Sequence, residues 1–151
     1  MYETLLDEAQ QEHIDVYEFP FRARIQGLYW DRAIGICRDA TSAEKACILA
    51  EELGHYHTSV GNILDQSELW NRKQENRARR WGYERLLPLD KLIAVHKAGI
   101  ETAYDLAEAF GVTQDFLTSS LQYYMEKYGH YCSVGDYWIC FEPLRVFKIT
   151  A

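Results

Sequence analysis

The stretch Cys47-Ile48-Leu49-Ala50-Glu51-Glu52-Leu53-Gly54-His55-Tyr56-His57 has the spacing of an amphipathic helix. The apolar residues that such a helix would turn inward are Ala46, Leu49, Ala50 and Leu53. At about 100° per residue, Glu51, Glu52 and His55 lie within about 100° of one another and can share one site. His57 lies with the apolar stripe, about 240° from Glu51, and would approach a metal mainly if the helix ended at Gly54. We therefore predict that His57 is a packed or helix-end residue.

Residues 51–55 match the motif H-E-x-x-H, except that glutamate replaces the first histidine. In that motif the two histidines bind zinc from one helical face, and the glutamate beside the first deprotonates the metal-bound water. The same positions here are Glu51 and His55 for the metal and Glu52 for the base. One altered letter makes the motif weak alone, so a third ligand is needed.

Glu75 is the third candidate ligand, within Asn71-Arg72-Lys73-Gln74-Glu75-Asn76-Arg77-Ala78-Arg79-Arg80-Trp81-Gly82. Nineteen residues separate it from His55, which fits a turn and the start of a second helix. Glu75, Ala78 and Gly82 recur at i, i+3 and i+7, and small residues on that stripe let two helices approach closely. The alternative is that Glu75 only pairs with neighbouring arginines on a solvated face.

Taken together, these stretches resemble the ImmA/IrrE family of metallo-endopeptidases, in particular small proteins of phages and mobile elements encoded beside a repressor. The matching segments are residues 46–56, then Glu75-x-x-Ala78-x-x-Trp81, then residues 105–112 with the helix that follows. In order and spacing the resemblance spans roughly residues 25–125.

The resemblance implies a gluzincin-like site with metal ligands Glu51, His55 and Glu75 and a catalytic base at Glu52. It also implies a protein substrate, a helix-turn-helix repressor encoded nearby, which the chain would cleave or antagonise. The expected cofactor is a divalent metal, Zn²⁺ first, with Mn²⁺ or Fe²⁺ as alternatives, because a second carboxylate makes the donor set harder. A chain that has lost the metal and acts as a stoichiometric anti-repressor is the second hypothesis.

Composition indicates an ordinary globular protein. The chain has 151 residues, 48% of them hydrophobic, enough for one domain with a real core. The four cysteines have no C-x-x-C spacing, so we expect reduced thiols. No basic leader and no run of eighteen apolar residues is present, so we expect a cytoplasmic protein without a membrane span. Oligomeric state is left open.

The predicted fold class is α+β: a gluzincin-like helical core with a small sheet, a helix-turn-helix-like segment and a C-terminal β-hairpin. We expect a single domain, residues 1–151, with the active-site core at about 20–86, the helical segment at 87–129 and the hairpin at 130–151. The expected helices cover 2–11, the motif region behind a Thr41/Glu44 capping box, a second helix bounded by Pro88, and then 90–95, 102–110 and 113–128. Hairpins are expected over residues 22–37, around Asp31-Arg32, and around Gly135-Asp136. Gly61 and Asn62 are expected to mark the connection after the motif helix.

Charge disfavours DNA binding, the third hypothesis. The net charge is −7, and residues 90–128, which contain the helix-turn-helix outline, carry three lysines against six acids. Residues 72–85 hold six Lys or Arg against two acids, whereas residues 1–18 hold six acids and no Lys or Arg. These two segments could attract one another or a partner.

No residue is favoured for oxyanion stabilisation among Tyr56, Tyr83 and His96.

Overall fold

The structure is a computed structural model that describes residues 1–20, 27–58 and 68–149. Its contacts divide the chain into two compact units, Met1–Gly82 and Tyr83–Ala151. Six helices and six strands lie in the described ranges, so the predicted α+β class is confirmed. Within those ranges no helix is both long enough and apolar enough to cross a membrane.

The first unit combines helices with a three-stranded sheet. Its elements are α1 (Tyr2–Gln11), β1 (Asp15–Phe19), β2 (Gly27–Trp30), β3 (Ala33–Cys37), α2 (Ser42–Thr58) and α3 (Glu68–Leu86), whose last residues belong to the second unit. The strand order is β1-β3-β2, with β1 parallel and β2 antiparallel to β3. The central strand supplies Ile34 and Ile36 to the core, beside Leu49 and Leu53 of α2.

The hairpin predicted at Asp31-Arg32 is confirmed. These two residues connect β2 to β3, and both have positive φ, 38° and 62°, as a tight hairpin turn with right-handed strand twist requires. The part of the expected hairpin at residues 22–26 lies outside the described residues, as does the connection expected at Gly61 and Asn62. Strand β1 was not predicted.

The predicted capping box opens α2. The Thr41 backbone N–H donates to Glu44 Oε2 at 2.7 Å, and the Glu44 N–H donates to Thr41 Oγ1 at 3.2 Å. The next residue, Lys45, donates to Glu18 Oε1 at 3.1 Å, and the Tyr2 hydroxyl donates to the same oxygen at 2.9 Å. The hydrogen bond from Lys45, followed by that from Tyr2, lowers the pKa of the Glu18 carboxyl. This carboxylate therefore joins α1, β1 and α2.

The second unit holds the remaining helices and a second sheet. Its elements are α4 (Leu89–Lys97), α5 (Ala103–Phe110), α6 (Gln114–Tyr128), β4 (Tyr131–Val134), β5 (Tyr137–Phe141) and β6 (Leu144–Lys148). Thr102 and Thr113 cap α5 and α6 by accepting backbone N–H bonds, and Gly111 ends α5 with φ 69°. The predicted C-terminal hairpin, β4 and β5, is confirmed, and the structure adds a third strand, β6, on β5.

Candidate metal centre

A glycine allows α2 and α3 to meet at the backbone. An ideal Cβ added to Gly54 would overlap the carbonyl oxygen of Ala78, so no larger residue fits there without a shift. One turn along α2 toward its start, Ala50 faces Gly82 of α3, where an added Cβ would lie 3.5 Å from the Ala50 Cβ. This approach carries His55, which follows Gly54, toward Glu75, which precedes Ala78 by one turn.

The three predicted ligands come together at this contact. Glu51, His55 and Glu75 each offer one ligand atom, and these atoms all lie within 4.8 Å of one another. His55 Nε2 is 3.4 Å from Glu75 Oε2. In a tetrahedral site with bonds of about 2.1 Å, two ligand atoms are separated by about 3.4 Å. Two carboxylate oxygens and one imidazole nitrogen in this arrangement fit a divalent metal ion and leave a coordination position open to solvent or substrate.

Glu52 follows Glu51 on α2 and is partly buried. Burial raises the pKa of its carboxyl to about 7, and the negative charges of Glu51 and Glu75 add to the effect. A carboxyl with such a pKa exchanges protons near neutral pH, which suits a general base and acid.

Arg79 is a site residue that the sequence analysis did not single out. Its Nε lies 3.4 Å from Glu51 Oε1 and donates a hydrogen bond to it, with the guanidinium about half exposed. Because Arg79 follows Glu75 by four residues, the two share a face of α3, and this spacing could have flagged it. The arginine supplies a positive charge to a cluster of three carboxylates.

His57 is not part of the triad. Helix α2 continues to Thr58, whose hydroxyl donates to the Gly54 carbonyl, so the early helix end that would have brought His57 to a metal does not occur. The His57 ring is exposed and stacks on Trp81 at 4.8 Å. Of the two predicted roles, a packed core residue and a helix-end residue, His57 therefore has the second.

The three oxyanion candidates lie in different surroundings. Tyr56 packs its ring against His57 at 5.0 Å. Tyr83 belongs to the second unit, where its ring contacts Phe116 and Tyr123. His96 also belongs to the second unit and lines a groove of about 340 Å³ between α4, α5 and β6. Nothing in these contacts favours one of them.

Comparison with families of known proteins gives a match over most of the chain. The family model described as IrrE N-terminal-like domain, of the M78 peptidases, matches residues 5–121. The matched region includes all four predicted site residues and is longer at its N-terminal end than the resemblance seen in the sequence. Neither the curated proteins nor the solved structures gave a match.

Proposed function

The chain belongs to the IrrE N-terminal-like family of M78 peptidases, and from this premise we propose that it is a metal-dependent endopeptidase acting on a partner protein. The observation that carries the proposal is the convergence of Glu51, His55 and Glu75 within 4.8 Å, with Glu52 beside them. The family supports a metallopeptidase type of function, and the triad supplies the donors that such a function needs.

The proposed metal ligands are the Glu51 and Glu75 carboxylates and the His55 imidazole. A divalent ion, Zn²⁺ first and Mn²⁺ or Fe²⁺ as alternatives, would supply Lewis-acid chemistry there, lowering the pKa of water and polarising a peptide carbonyl. Arg79 holds one oxygen of Glu51 and so limits the orientations of that carboxylate.

Glu52 is the proposed general base. Its carboxylate takes the proton of the attacking water and then gives it to the amine that leaves when the peptide bond breaks. The raised pKa, about 7, belongs to the site without a metal, and a divalent cation nearby would favour the carboxylate form that accepts the proton.

The proposed substrate is a helix-turn-helix repressor encoded beside the gene, in a phage or mobile element, so the reaction would take place in the cytoplasm. This step rests on the likeness of the sequence to the repressor-linked members of the family.

A stoichiometric anti-repressor is the second proposed function. The observation that favours it is Glu51 itself, because an additional carboxylate among the donors leaves less of the metal's charge to acidify water. Such a protein would bind the repressor without cutting it.

Substituting Glu52 by Gln separates the two functions. The amide keeps the size of the side chain but cannot accept a proton, so cleavage of the repressor should fall on the order of 10²–10⁴-fold while metal binding persists. As a control, Glu75→Gln should weaken metal binding as well as cleavage. If the Glu52→Gln protein cleaves as fast as the wild type, the proposed mechanism is wrong. Repressor binding by both proteins that survives a chelator, together with no cleavage by the wild type loaded with Zn²⁺, would establish the anti-repressor.

A further inference from the structure

Helix α3 is strongly cationic in an acidic protein. Residues 72–85 contribute a net charge of +4 to a chain of −7, so the rest of the chain carries −11. Five of the six cationic residues in this segment lie in the first unit and are exposed. They form what we call the cationic face of α3: Arg72, Lys73, Arg77, Arg79 and Arg80.

The cationic face begins beside the proposed metal site. With Glu75 at 0° and about 100° per residue, Arg79 and Arg72 lie near 40° and 60°, and the other three between about 140° and 200°. The packed stripe of the helix lies on the other side of Glu75, with Ala78 near 300° and Gly82 near 340°. Glu75 therefore lies between the side of α3 that packs against α2 and the side that carries the cations. Arg79 is the cation of this face that contacts the proposed metal site.

We propose that the cationic face of α3 binds acidic side chains of the protein substrate that flank its scissile bond. This inference rests on the proposed function and names the class of substrate. A peptide that crosses the triad toward the exposed side of α3 passes Arg79 and then the outer cations. Acidic side chains on that part of the peptide would meet a positive surface, which favours their binding and speeds their encounter.

The charge distribution favours an acidic peptide over a nucleic acid. A nucleic acid carries phosphates along its whole length, and the remainder of this chain, at −11, would repel those that extend beyond α3. A short peptide with local acidic residues meets only the cationic face. Exposed pairs are individually weak, so the preference has to come from several cations acting together.

Binding is measured on the full chain carrying Glu52→Gln and loaded with Zn²⁺, so that no peptide is cut. The probes are a fluorescent peptide with Asp and Glu on both sides of an apolar centre and a matched peptide with Asn and Gln. At an ionic strength of about 0.01 M we expect the acidic peptide to bind at least about tenfold more tightly. The advantage should shrink at about 0.15 M, where charges are screened over about 8 Å.

Two exposed cations of the face, Lys73 and Arg77, provide the variant. The double substitution Lys73→Gln, Arg77→Gln should reduce the preference for the acidic peptide by about three- to tenfold. The control, Lys91→Gln with Lys148→Gln, removes two exposed positive charges elsewhere and should leave the preference unchanged. Equal affinity for the two peptides, or an equal effect of the two double variants, would overturn the proposal. So would tighter binding of a DNA duplex than of the acidic peptide, lost on substitution of Lys73 and Arg77.

The same peptides, incubated with the wild type, keep the two proposals apart. If the wild type cuts both peptides equally well, it is a peptidase without the acidic preference, and only this inference fails. If the Glu52→Gln protein selects the acidic peptide but the wild type cuts neither that peptide nor the repressor, the binding face stands and the peptidase proposal fails.

Discussion

Glu51 is the residue at which this chain departs from the H-E-x-x-H motif. Arg79 pairs with the carboxylate that this departure introduces. A histidine at position 51 would present a neutral donor, whereas the glutamate adds a negative charge to a cluster that already holds Glu52 and Glu75. The arginine at 3.4 Å offsets that charge. A carboxylate at position 51 is thus compatible with a metal site.

The substitution Glu51→His should move metal preference toward zinc. Two imidazoles and one carboxylate form a softer donor set than the present one, so we expect the ratio of Zn²⁺ to Mn²⁺ affinity to rise by about tenfold or more. Competition titrations against a coloured chelator would measure both affinities. Glu51→Gln, which offers only a weak amide oxygen, serves as the control and should weaken both metals. An unchanged ratio in Glu51→His would show that position 51 does not contact the metal.

Glu52 should make the metal-free protein less stable as pH rises. The folded pKa, about 7, lies above the usual value of 4.5, so the folded state binds the extra proton between these limits. The stability linked to Glu52 is therefore fully present below about pH 4.5 and is lost as pH rises through about 7. In chelator at pH 8, the free energy of unfolding of the Glu52→Gln protein should be higher than that of the wild type by on the order of 2–3 kcal/mol. At pH 4.5 the two free energies of unfolding should be nearly equal. Urea titrations at both pH values test this, and a constant difference would contradict it.

At the scale of elements, the contact between α2 and α3 decides whether the triad forms. Gly54→Ala places a methyl group against the Ala78 carbonyl, so the helices must separate, at about 1–3 kcal/mol or more. His55 and Glu75 would move apart with them, and metal affinity should fall as well. The matched control is Gly82→Ala, whose Cβ would lie at ordinary contact distance from Ala50 and which gains up to about 1 kcal/mol of helix propensity. Thermal unfolding and metal titration of both variants make the comparison. Equal behaviour of the two would show that the close approach at Gly54 is not needed.

The sequence predicted those elements whose signal is local. The capping box at Thr41 and the turn at Asp31-Arg32 depend on a few neighbouring residues, and both were found as expected. Strand β1 was missed because five residues with an acid at every third position give little periodicity, and its pairing with β3 crosses about eighteen residues. Likewise, helix spacing placed Glu75 on the correct face of α3, but the reach of Arg79 to Glu51 depends on a side chain crossing to another helix.

At the scale of the whole molecule, the family match runs across the boundary between the two compact units, from residue 5 to residue 121. The proposed metal ligands, by contrast, all belong to the first unit. If the chain is the single domain expected from its length, the two units should unfold together. Metal binding to the first unit can test this. A ligand that binds only the folded state stabilises every part of the molecule that must unfold to release it.

Hydrogen exchange with and without Zn²⁺ would answer that question. At a metal concentration of 100 times the dissociation constant, binding adds about 2.7 kcal/mol to the stability of the unit that holds it. We expect the slow amides of α2 and of α3 up to Gly82 to gain up to about 100-fold in protection, while those of β4, β5 and β6 change little. Glu75→Gln should abolish the gain, which ties it to the triad. Equal gains in protection in the second sheet would show that the two units unfold together as one domain. No gain in protection in α2 and α3 would show that the metal does not bind at Glu51, His55 and Glu75.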